Sequence, residues 1–400
     1  ATSRYAAEDG ADAVLVDWEP LPVVTDPREA LAEGADRARL DLASNLLVRL
    51  DVAYGAVDEA FAEADHVFRE TLFQHRGCAH PMEGRGTIAA SEPGTGGLTI
   101  WSSSQAGHEL RDVVAEMLGR EPDDVRVIVP DVGGGFGAKF MVYPEEIAIA
   151  GAAVVVGRPL KWVEDRREHF LCAIQERDQF WELEMAVDRD GLLRGVRGRI
   201  FHDQGAYAPH NVTVPFNSAS GVPGPYRLPA CALAVDVVAT NKPPVIPVRG
   251  AGYPQGAFAI ERLMDLAARR LGIDRAEIRR RNLIPPEAMP WTSGLRNRAG
   301  KEVAYDSGDY PACHDRALAA CGWDDFPARK ARALARGRHI GIGLAHGVKC
   351  TGRGPFESAT VRVSPTGRVA IYTGANAIGQ GTGTALAQIC ADELGVDHAE

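Results

Sequence analysis

The sequence predicts an α+β fold of mixed character, in which hairpins and helices alternate around glycine-rich loops. Apolar residues alternate with period two in some segments and recur at helical spacing in others. The run GGGFG at residues 133–137 follows a predicted strand. The order hairpin, glycine-bearing tip, helix and terminal glycine occurs twice, at residues 87–119 and 360–395. We therefore expect two related units whose tips surround one ligand.

The first half of the chain alternates short strands and helices. Strands are predicted at residues 13–16, 67–73, 87–90, 98–101 and 125–129, and helices at residues 26–34, 58–63, 110–118 and 145–157. The turn EPGTGG joins two of these strands into a hairpin, because glycine and proline favour tight turns. Gly119 ends the third helix, and Pro144 suits the first turn of the fourth.

The second half contains two further hairpins. A strand is predicted at residues 161–163, hairpins at residues 181–200 and 360–372, and helices at residues 260–271 and 386–394. Asp190-Gly191 closes the first hairpin, Gly272 ends the first helix, and residues 274–277 form a capping-box pattern. The basic residues 328–338 suit a linker or an exposed helix.

Composition excludes several classes of function. A net charge of −10 and a pI near 5.6 argue against a nucleic-acid surface. The longest apolar stretch, residues 147–156, is too short to span a bilayer. Seven cysteines without CxxC spacing fit a reducing, cytoplasmic compartment. The chain lacks an initiator methionine and stops inside a helix-to-strand pattern, so we expect it to be part of a longer protein.

The glycine run exposes main-chain amides that can hold a phosphate, an anion or a polar heterocycle. GGGFGA also fits the dinucleotide fingerprint by its letters, with Glu164 or Asp165 on the ribose. That fingerprint places its last small residue in the first turn of a helix, whereas here the helix is predicted to start at Pro144. A P-loop fails because Ala138 and Phe140 stand where glycine and Ser/Thr are required. A tight turn without a ligand remains an alternative.

The loop at residues 75–86 contains His75, Cys78 and His80, a combination that suggests a metal site. Their spacing fits no standard zinc pattern and a fourth ligand is not evident, so we predict hydrogen-bonded loop histidines. Glu83 in the same loop is predicted to form an ion pair or a cap and not to catalyse.

Seven motifs together carry a resemblance to a known family. They are SSSQAGH, GGGFGAK, VEDRREHF, HDQGAYAPH, PVRGAGYPQ, ERLMDLAARRLG and GQGTGTALAQICADELG. In this order they resemble the large subunits of molybdenum hydroxylases, which include xanthine dehydrogenase, aldehyde oxidase and aerobic carbon monoxide dehydrogenase. The resemblance implies the tail of a hammerhead-type α/β domain at residues 1–25. A first molybdenum-cofactor-binding domain would occupy residues 26–325, followed by a linker at 326–340 and the truncated start of a second such domain at 341–400.

The resemblance also implies which residues form the site. Gln105 would be the catalytic residue, donating a hydrogen bond to an oxo ligand of molybdenum, and no side chain would bind the metal directly. The cofactor would contact Gly134, Gly135, Phe136, Gly137, Arg249, Gly250, Gly379, Gln380 and Gly381. The substrate pocket would contain Phe140, Asn217 and Ala251. Considered alone, Gln105 would be expected to cap the following helix, and Arg249 would be expected to form a surface ion pair. The combined pattern of motifs favours contacts with the cofactor instead.

The implied reaction is hydroxylation of an aldehyde or N-heteroaromatic carbon, with water as the oxygen source. The cofactor would be molybdopterin, in its cytosine dinucleotide form, with Mo. Electrons would pass to iron–sulfur clusters on a small subunit and FAD on a medium subunit, with a dimer of heterotrimers as one arrangement. The general-base glutamate of the family would fall beyond Glu400, so we expect this chain alone to be inactive.

Departures from the family pattern bear on the substrate. Phe140 and Asn217 stand where purine-oxidising members carry an acid and an arginine, which argues against purines. Residues 245–255 contain no cysteine to hold copper, which argues against carbon monoxide. The alternatives are a carbon monoxide dehydrogenase-like large subunit, an NAD-dependent dehydrogenase and a non-catalytic scaffold.

Overall fold

The computed structural model describes residues 3–92, 94–210, 212–349 and 357–398. Its strands are β1 (Leu46–Tyr54), β2 (His66–Gln74), β3 (Gly86–Ser91), β4 (Leu98–Ser102), β5 (Val125–Ile128), β6 (Leu160–Val163), β7 (Gln179–Val187), β8 (Leu193–Gly205), β9 (Cys231–Ala239), β10 (Trp291–Arg296), β11 (Glu302–Tyr305), β12 (Ala359–Val363) and β13 (Val369–Thr373). Its helices are α1 (Arg4–Asp12), α2 (Val57–Ala62), α3 (Gly107–Met117), α4 (Pro144–Val156), α5 (Arg166–Cys172), α6 (Thr213–Ser220), α7 (Tyr253–Leu271), α8 (Arg275–Asn282), α9 (Tyr310–Cys321), α10 (Phe326–Leu334) and α11 (Thr382–Leu394). This mixed α/β architecture confirms the predicted fold class.

A five-stranded sheet with the order β1-β9-β8-β7-β2 forms the larger core. The predicted hairpin at residues 181–200 is its β7-β8 pair. Helix α7 buries Ile260, Leu263, Met264 and Ala267 in the same core as Trp181 of β7. These helix residues recur at spacings of three and four, which gives α7 the continuous apolar face that a sheet can cover.

A four-stranded sheet with the order β5-β4-β3-β6 carries the first glycine loop. The hairpin β3-β4 was predicted, and β5 lies parallel to β4 because α3 connects them. Leu110 and Val114 of α3 pack with Ile100 of β4, while α4 covers the sheet with Ala150 and Ala153. The loop at residues 130–143 therefore leaves the end of the parallel edge strand β5 and reaches the predicted first turn of α4.

The second predicted unit consists of the hairpin β12-β13 and helix α11, and its elements are confirmed. The basic stretch before it forms α10, an exposed helix. The domain boundaries near residues 25, 325 and 340 remain predictions. Within the described ranges, no helix combines the length and the apolar character that crossing a bilayer would require.

Several local predictions were wrong or incomplete. Residues 13–16 form no strand; Leu15 is 94% exposed, and in the described structure no neighbouring strand supplies hydrogen-bond partners. The helix predicted at residues 26–34 shortens to one 3-10 turn, Glu29–Leu31, before Gly34 adopts a left-handed conformation. Strands β1 and β9, which pair in the large sheet, were not predicted.

One helix starts earlier than predicted, and one predicted capping box is only half formed. Helix α7 begins at Tyr253, seven residues before the predicted start, because Pro254 fits its first turn. Asp274 caps α8 through the amides of Ala276 and Glu277, as predicted. The reciprocal half of the capping box is missing, since the Glu277 carboxylate pairs instead with two arginines of α8.

Candidate functional site

A cleft of about 1010 Å³ lies where three loops meet. It is lined by His80, Met82, Gln105, residues 133–137, Phe140, residues 247–251, Lys349 and residues 378–380. The first loop follows β5, the second precedes α7, and the third is the tip between β13 and α11. The structure thus brings together segments that lie more than 240 residues apart in sequence, as the repeat predicted.

The glycine loop approaches its neighbours too closely for side chains. Gly137 has φ +107°, and a Cβ added there would overlap the carbonyl oxygen of Pro247. A Cβ on Gly135 would overlap the carboxamide of Gln105. Phe136 adopts φ +54°, and its carbonyl accepts a hydrogen bond from Arg249 N at 2.9 Å. The two loops therefore contact each other through their main chains, and only glycine fits at these contacts. The cleft beside them remains open for a ligand.

Gln105 is oriented by the glycine loop. Its Oε1 accepts hydrogen bonds from Gly137 N at 2.9 Å and Lys139 N at 3.2 Å, and its own N donates to the Lys139 carbonyl at 2.8 Å. The side chain does not cap α3, because Ser104 Oγ accepts from Ala106 N instead. With the oxygen fixed, the Nε2 group is the end of the amide that is left to donate into the cleft.

Glu83 supports the same loop, which confirms the predicted pairing role. Its carboxylate accepts from Gly133 N at 2.6 Å and from Lys139 Nζ at 2.7 Å. The Lys139 side chain is only 1% exposed, and this burial lowers the pKa of its ammonium group, with Glu83 opposing the shift. Glu83 thus connects Gly133, at the start of the glycine run, to Lys139, just after its end.

The second wall of the cleft is the turn at residues 247–251. Arg249 is exposed and forms no ion pair with the described residues, so the surface-pair alternative is not observed. Ala251 has φ +48°, and its carbonyl accepts a 2.8 Å hydrogen bond from Asn217 Nδ2. Asn217 itself lines a neighbouring cleft and not this one, so it supports the pocket from behind.

The third wall is the tip of the second unit. Ala377 O accepts a 3.3 Å hydrogen bond from Val132 N, next to the first glycine run. Gln380 lines the cleft, but both ends of its amide are bonded within the tip: Oε1 accepts from Ile378 N at 2.7 Å and Nε2 donates to Asn376 O at 2.8 Å. Gly381, predicted to contact the cofactor, lies outside the cleft lining and precedes α11 with φ +75°.

Sequence comparison identifies the family. The molybdopterin cofactor-binding domain family matches residues 41–283, and a second family of the same description matches residues 316–400. The chain belongs to the molybdopterin cofactor-binding family. These matches cover all three walls of the cleft, so the family assignment and the convergence of the loops concern the same residues.

Individual relatives are similar along the whole chain. The subunit gamma of the 6-hydroxypseudooxynicotine dehydrogenase complex of Paenarthrobacter nicotinovorans is 38% identical over 98% of this chain and 49% of its own length. Quinoline 2-oxidoreductase from Pseudomonas putida 86 is 37% identical with a TM-score of 0.90, over 100% of this chain and 52% of that one. CO dehydrogenase from Oligotropha carboxidovorans is 32% identical with a TM-score of 0.88, over 99% and 53%. This molybdopterin-binding chain therefore spans about half the length of such relatives.

The cleft fits the cofactor that the family implies. A molybdenum pterin is anionic and carries hydrogen-bonding edges, and the cleft offers main-chain amides that no Cβ shields, the Nε2 donor of Gln105 and the guanidinium of Arg249. Together these groups could hold the cofactor without a side chain bound directly to the metal.

The acids that the dinucleotide alternative requires are already engaged. Glu164 is buried and accepts from Arg85 Nη2 at 2.6 Å and from His169 Nδ1 at 2.9 Å. Burial alone would raise the pKa of Glu164, but the hydrogen bonds from Arg85 hold it below its ordinary value. Asp165 caps α5 through Glu168 N. Neither carboxylate is available for a ribose, and the helix after the glycines starts only at Pro144.

The Arg85–Glu164–His169 network was missed from sequence. His169 Nε2 contacts the carbonyl of Ala79 at 2.8 Å, which fixes the loop at residues 75–86 beside the cleft. The His169 ring also lies near Cys78 and His80, with the three potential ligand atoms within 4.8 Å of one another. His75 is not part of this group. Because both ring nitrogens of His169 are hydrogen-bonded, the cluster presents no free set of three ligands.

Proposed function

We propose that this chain forms the molybdenum-pterin site of an oxidoreductase that hydroxylates an N-heteroaromatic carbon, or an aldehyde, with water as the oxygen source. The observation that carries the proposal is the convergence of Gln105, the glycine loop, Arg249 and the second tip on one cleft. When bound, the molybdenum-pterin group supplies two-electron redox chemistry and the transfer of an oxygen atom.

The residues of the chain would bind and orient that group. The amides of Gly135 and Phe136 and the guanidinium of Arg249 would contact its anionic parts, with Gly250 allowing close approach. Gln105 Nε2 would donate a neutral hydrogen bond near the reacting centre, and its orientation depends on the two amides held by Oε1. The tip at residues 379–380 would bind the pterin from the opposite side.

The substrate side of the cleft favours an apolar, planar molecule. Phe136 is 44% exposed, and Phe140 and Ala251 extend the same apolar lining. The Phe140 ring lies edge-on to His210 at 5.8 Å between centroids. Purines would meet neither the acid nor the arginine that the family resemblance associates with them, because Phe140 and Asn217 occupy those positions. Residues 245–255 contain no cysteine that could hold copper for carbon monoxide oxidation.

The proposal concerns the complete protein with its partners. By the family resemblance, these are an iron–sulfur small subunit and an FAD-binding medium subunit, in a heterotrimer or its dimer, and the pterin carries a cytosine dinucleotide. The 38% identical relative is itself described as one subunit of a complex. The six cysteines within the described residues are all unpaired, which supports a reducing, cytoplasmic location.

Metal analysis and a substrate panel test the function. The complete protein, purified with its partner subunits, should contain molybdenum and a fluorescent oxidised pterin. It should oxidise quinoline or benzaldehyde with an artificial electron acceptor and take ¹⁸O from labelled water, whereas xanthine and carbon monoxide should react poorly. Absence of both molybdenum and pterin would contradict the proposal. Reversible NAD binding without metal would favour the dehydrogenase alternative. The 400-residue chain by itself should show no turnover, and measurable turnover would refute that expectation.

A further inference from the structure

A second cleft of about 620 Å³ lies beside the cofactor cleft. We call it the tyrosine cleft, and its aromatic lining is Phe216, Tyr253, Tyr305 and Tyr310. Tyr305 and Tyr310 meet edge to face with centroids 6.4 Å apart, and Tyr305 Oη donates a 2.9 Å hydrogen bond to Gly224 O. The Tyr305 ring is thereby fixed, so the cleft has a preformed aromatic wall and is not merely a gap between loops.

The two clefts share a thin partition. Asn217 lines the tyrosine cleft, and its Nδ2 donates to the carbonyl of Ala251, which lines the cofactor cleft. Gly252, with φ +103°, packs against the Asn217 side chain so closely that a Cβ would overlap it. Lys349 lines both clefts. The two clefts therefore lie on either side of the Asn217–Ala251 contact and adjoin at Lys349, the lining residue that they share.

We propose that the tyrosine cleft binds the distal ring of an extended heteroaromatic substrate whose reacting ring lies in the cofactor cleft. This assignment rests on the function proposed above and adds a substrate class to it: a molecule with a second aromatic ring that carries a hydrogen-bond acceptor. Nothing in the cofactor cleft requires that second ring, so the tyrosine cleft would act on the selection of the substrate and not on the chemical step.

The chemistry of the tyrosine cleft favours such a ring. Burial raises the pKa of Tyr305 to about 12, and burial together with Asp306 raises the pKa of Tyr310, so both phenols are neutral at pH 7. Neutral phenol rings offer faces and edges for aromatic packing. The cations Lys349 and Arg298 line the same cleft against one acid, Asp306. This balance favours an acceptor or an anionic group on the ligand over a cationic one.

Substrate discrimination tests the proposal in the complete protein with its partner subunits. The probes are quinoline and a set of phenylquinolines whose phenyl group carries a carboxylate or an acetyl group. The wild type should show a kcat/KM at least about tenfold higher for the best extended probe than for quinoline, because one packed aromatic contact corresponds to roughly that factor. Tyr310→Ala should remove this advantage mainly through KM and leave quinoline turnover and molybdenum content unchanged.

A second variant and a control complete the test. Ala304→Trp fills the cleft from β11 and should also raise the KM of the extended probes, which keeps the test valid if Tyr310→Ala does not fold. Tyr372→Ala removes an exposed tyrosine of β13 and should change the kinetic constants of neither quinoline nor the extended probes. Equal effects on quinoline and on the extended probes, or no effect in either variant, would overturn the proposal while the proposed function stands. A wild-type protein without molybdenum and pterin would overturn both.

Discussion

The two related units present their tips to one cleft but differ in how much of each unit this chain buries. In the first unit Ile100, Leu110 and Val114 are completely buried, and β5, β6 and α4 surround the hairpin and its helix. In the second, every residue of β12 is exposed, and within the described part of α11 only Ala391 is buried. Within this chain, the first tip is positioned by a buried core and hydrogen bonds, whereas the second tip is held by its own turn and by the hydrogen bond from Val132 N to Ala377 O.

The largest loss of cofactor is expected from a substitution at Gly137, where the first tip contacts the main chain of Pro247. Gly137→Ala would place a Cβ against the carbonyl of Pro247 at a residue with φ +107°, so the loop would have to move. We expect loss of nearly all bound molybdenum and pterin from the complete protein, measured by metal analysis. The matched control is Gly383→Ala in α11, where a Cβ meets nothing within 4 Å and cofactor content should not change. Full cofactor retention by Gly137→Ala would show that the loop is not the rigid wall described here.

Gln105→Glu should have the next largest effect. The isosteric carboxylate can still accept from Gly137 N and Lys139 N, but it offers no donor in place of Nε2. We expect kcat to fall about a hundredfold, the scale of losing one oriented donor at a reacting centre, with molybdenum content retained. Steady-state kinetics on metal-normalised enzyme measure this. Unchanged kcat would remove Gln105 from the reacting end of the site.

Glu83→Ala should cost more stability than Lys139→Met. The first change leaves the Lys139 ammonium buried without its carboxylate, whereas the second leaves a partly exposed carboxylate that still accepts from Gly133 N. Because Glu83 is partly exposed, the difference should be only about 2 kcal/mol in the free energy of unfolding, below the cost of breaking a fully buried pair.

The pH dependence of the Glu83→Ala variant follows from the sign of the Lys139 shift. Burial lowers the pKa of Lys139 in the folded state, and removing Glu83 removes the group that opposes this shift. A folded-state pKa below the unfolded value makes protonation unfavourable to folding. The loss of stability should therefore be largest at neutral pH and shrink as the pH rises toward the unfolded lysine value of about 10.4. Denaturant titrations at several pH values measure this, and a loss independent of pH would contradict the ion-pair explanation.

The smallest effect is expected at the second tip. Gln380→Ala removes two hydrogen bonds, to Ile378 N and Asn376 O, that both lie within an exposed turn. A loss of about 1 kcal/mol in the stabilisation of the tip corresponds to roughly fivefold weaker binding of the cofactor. Time-dependent release of pterin on dilution would detect it. An effect as large as that of Gly137→Ala would show that the two tips contribute equally to cofactor binding.

The sequence predicted local structure where the cause is local. The Asp190-Gly191 turn and Pro144 each fix a boundary through their own backbone preferences, and both are where the sequence placed them. The hairpin β3-β4 also forms on either side of EPGTGG, whose residue 93 lies outside the described residues. Residues 13–16 show the opposite case: their apolar pattern suits a strand, but a strand also needs a neighbour, which a pattern along the chain does not report.

For the candidate site too, residues within sequence motifs were predicted, whereas contacts that depend on packing were not. The family resemblance selected the glycine loop, Arg249 and Gln380, and they converge on one cleft. The position of Asn217 behind the pocket could not be predicted, because it depends on how α6 packs against the turn before α7. The partnership of Arg85 with Glu164 spans 79 residues and has no local signature. Contacts of this kind arise from packing, so a one-dimensional pattern gives no signal for them.

The steric crowding around Gly137 and Gly135 has a consequence for how such a protein can diversify. A side chain at Gly137 would displace the loops and one at Gly135 would displace the Gln105 carboxamide, so neither position offers a route to a new specificity. Phe140 and Ala251 already carry side chains at the opposite edge of the pocket, and Asn217 supports Ala251 from behind. Substitutions that change substrate specificity should therefore accumulate on that edge. The amide-lined edge can remain the same binding surface for one prosthetic group.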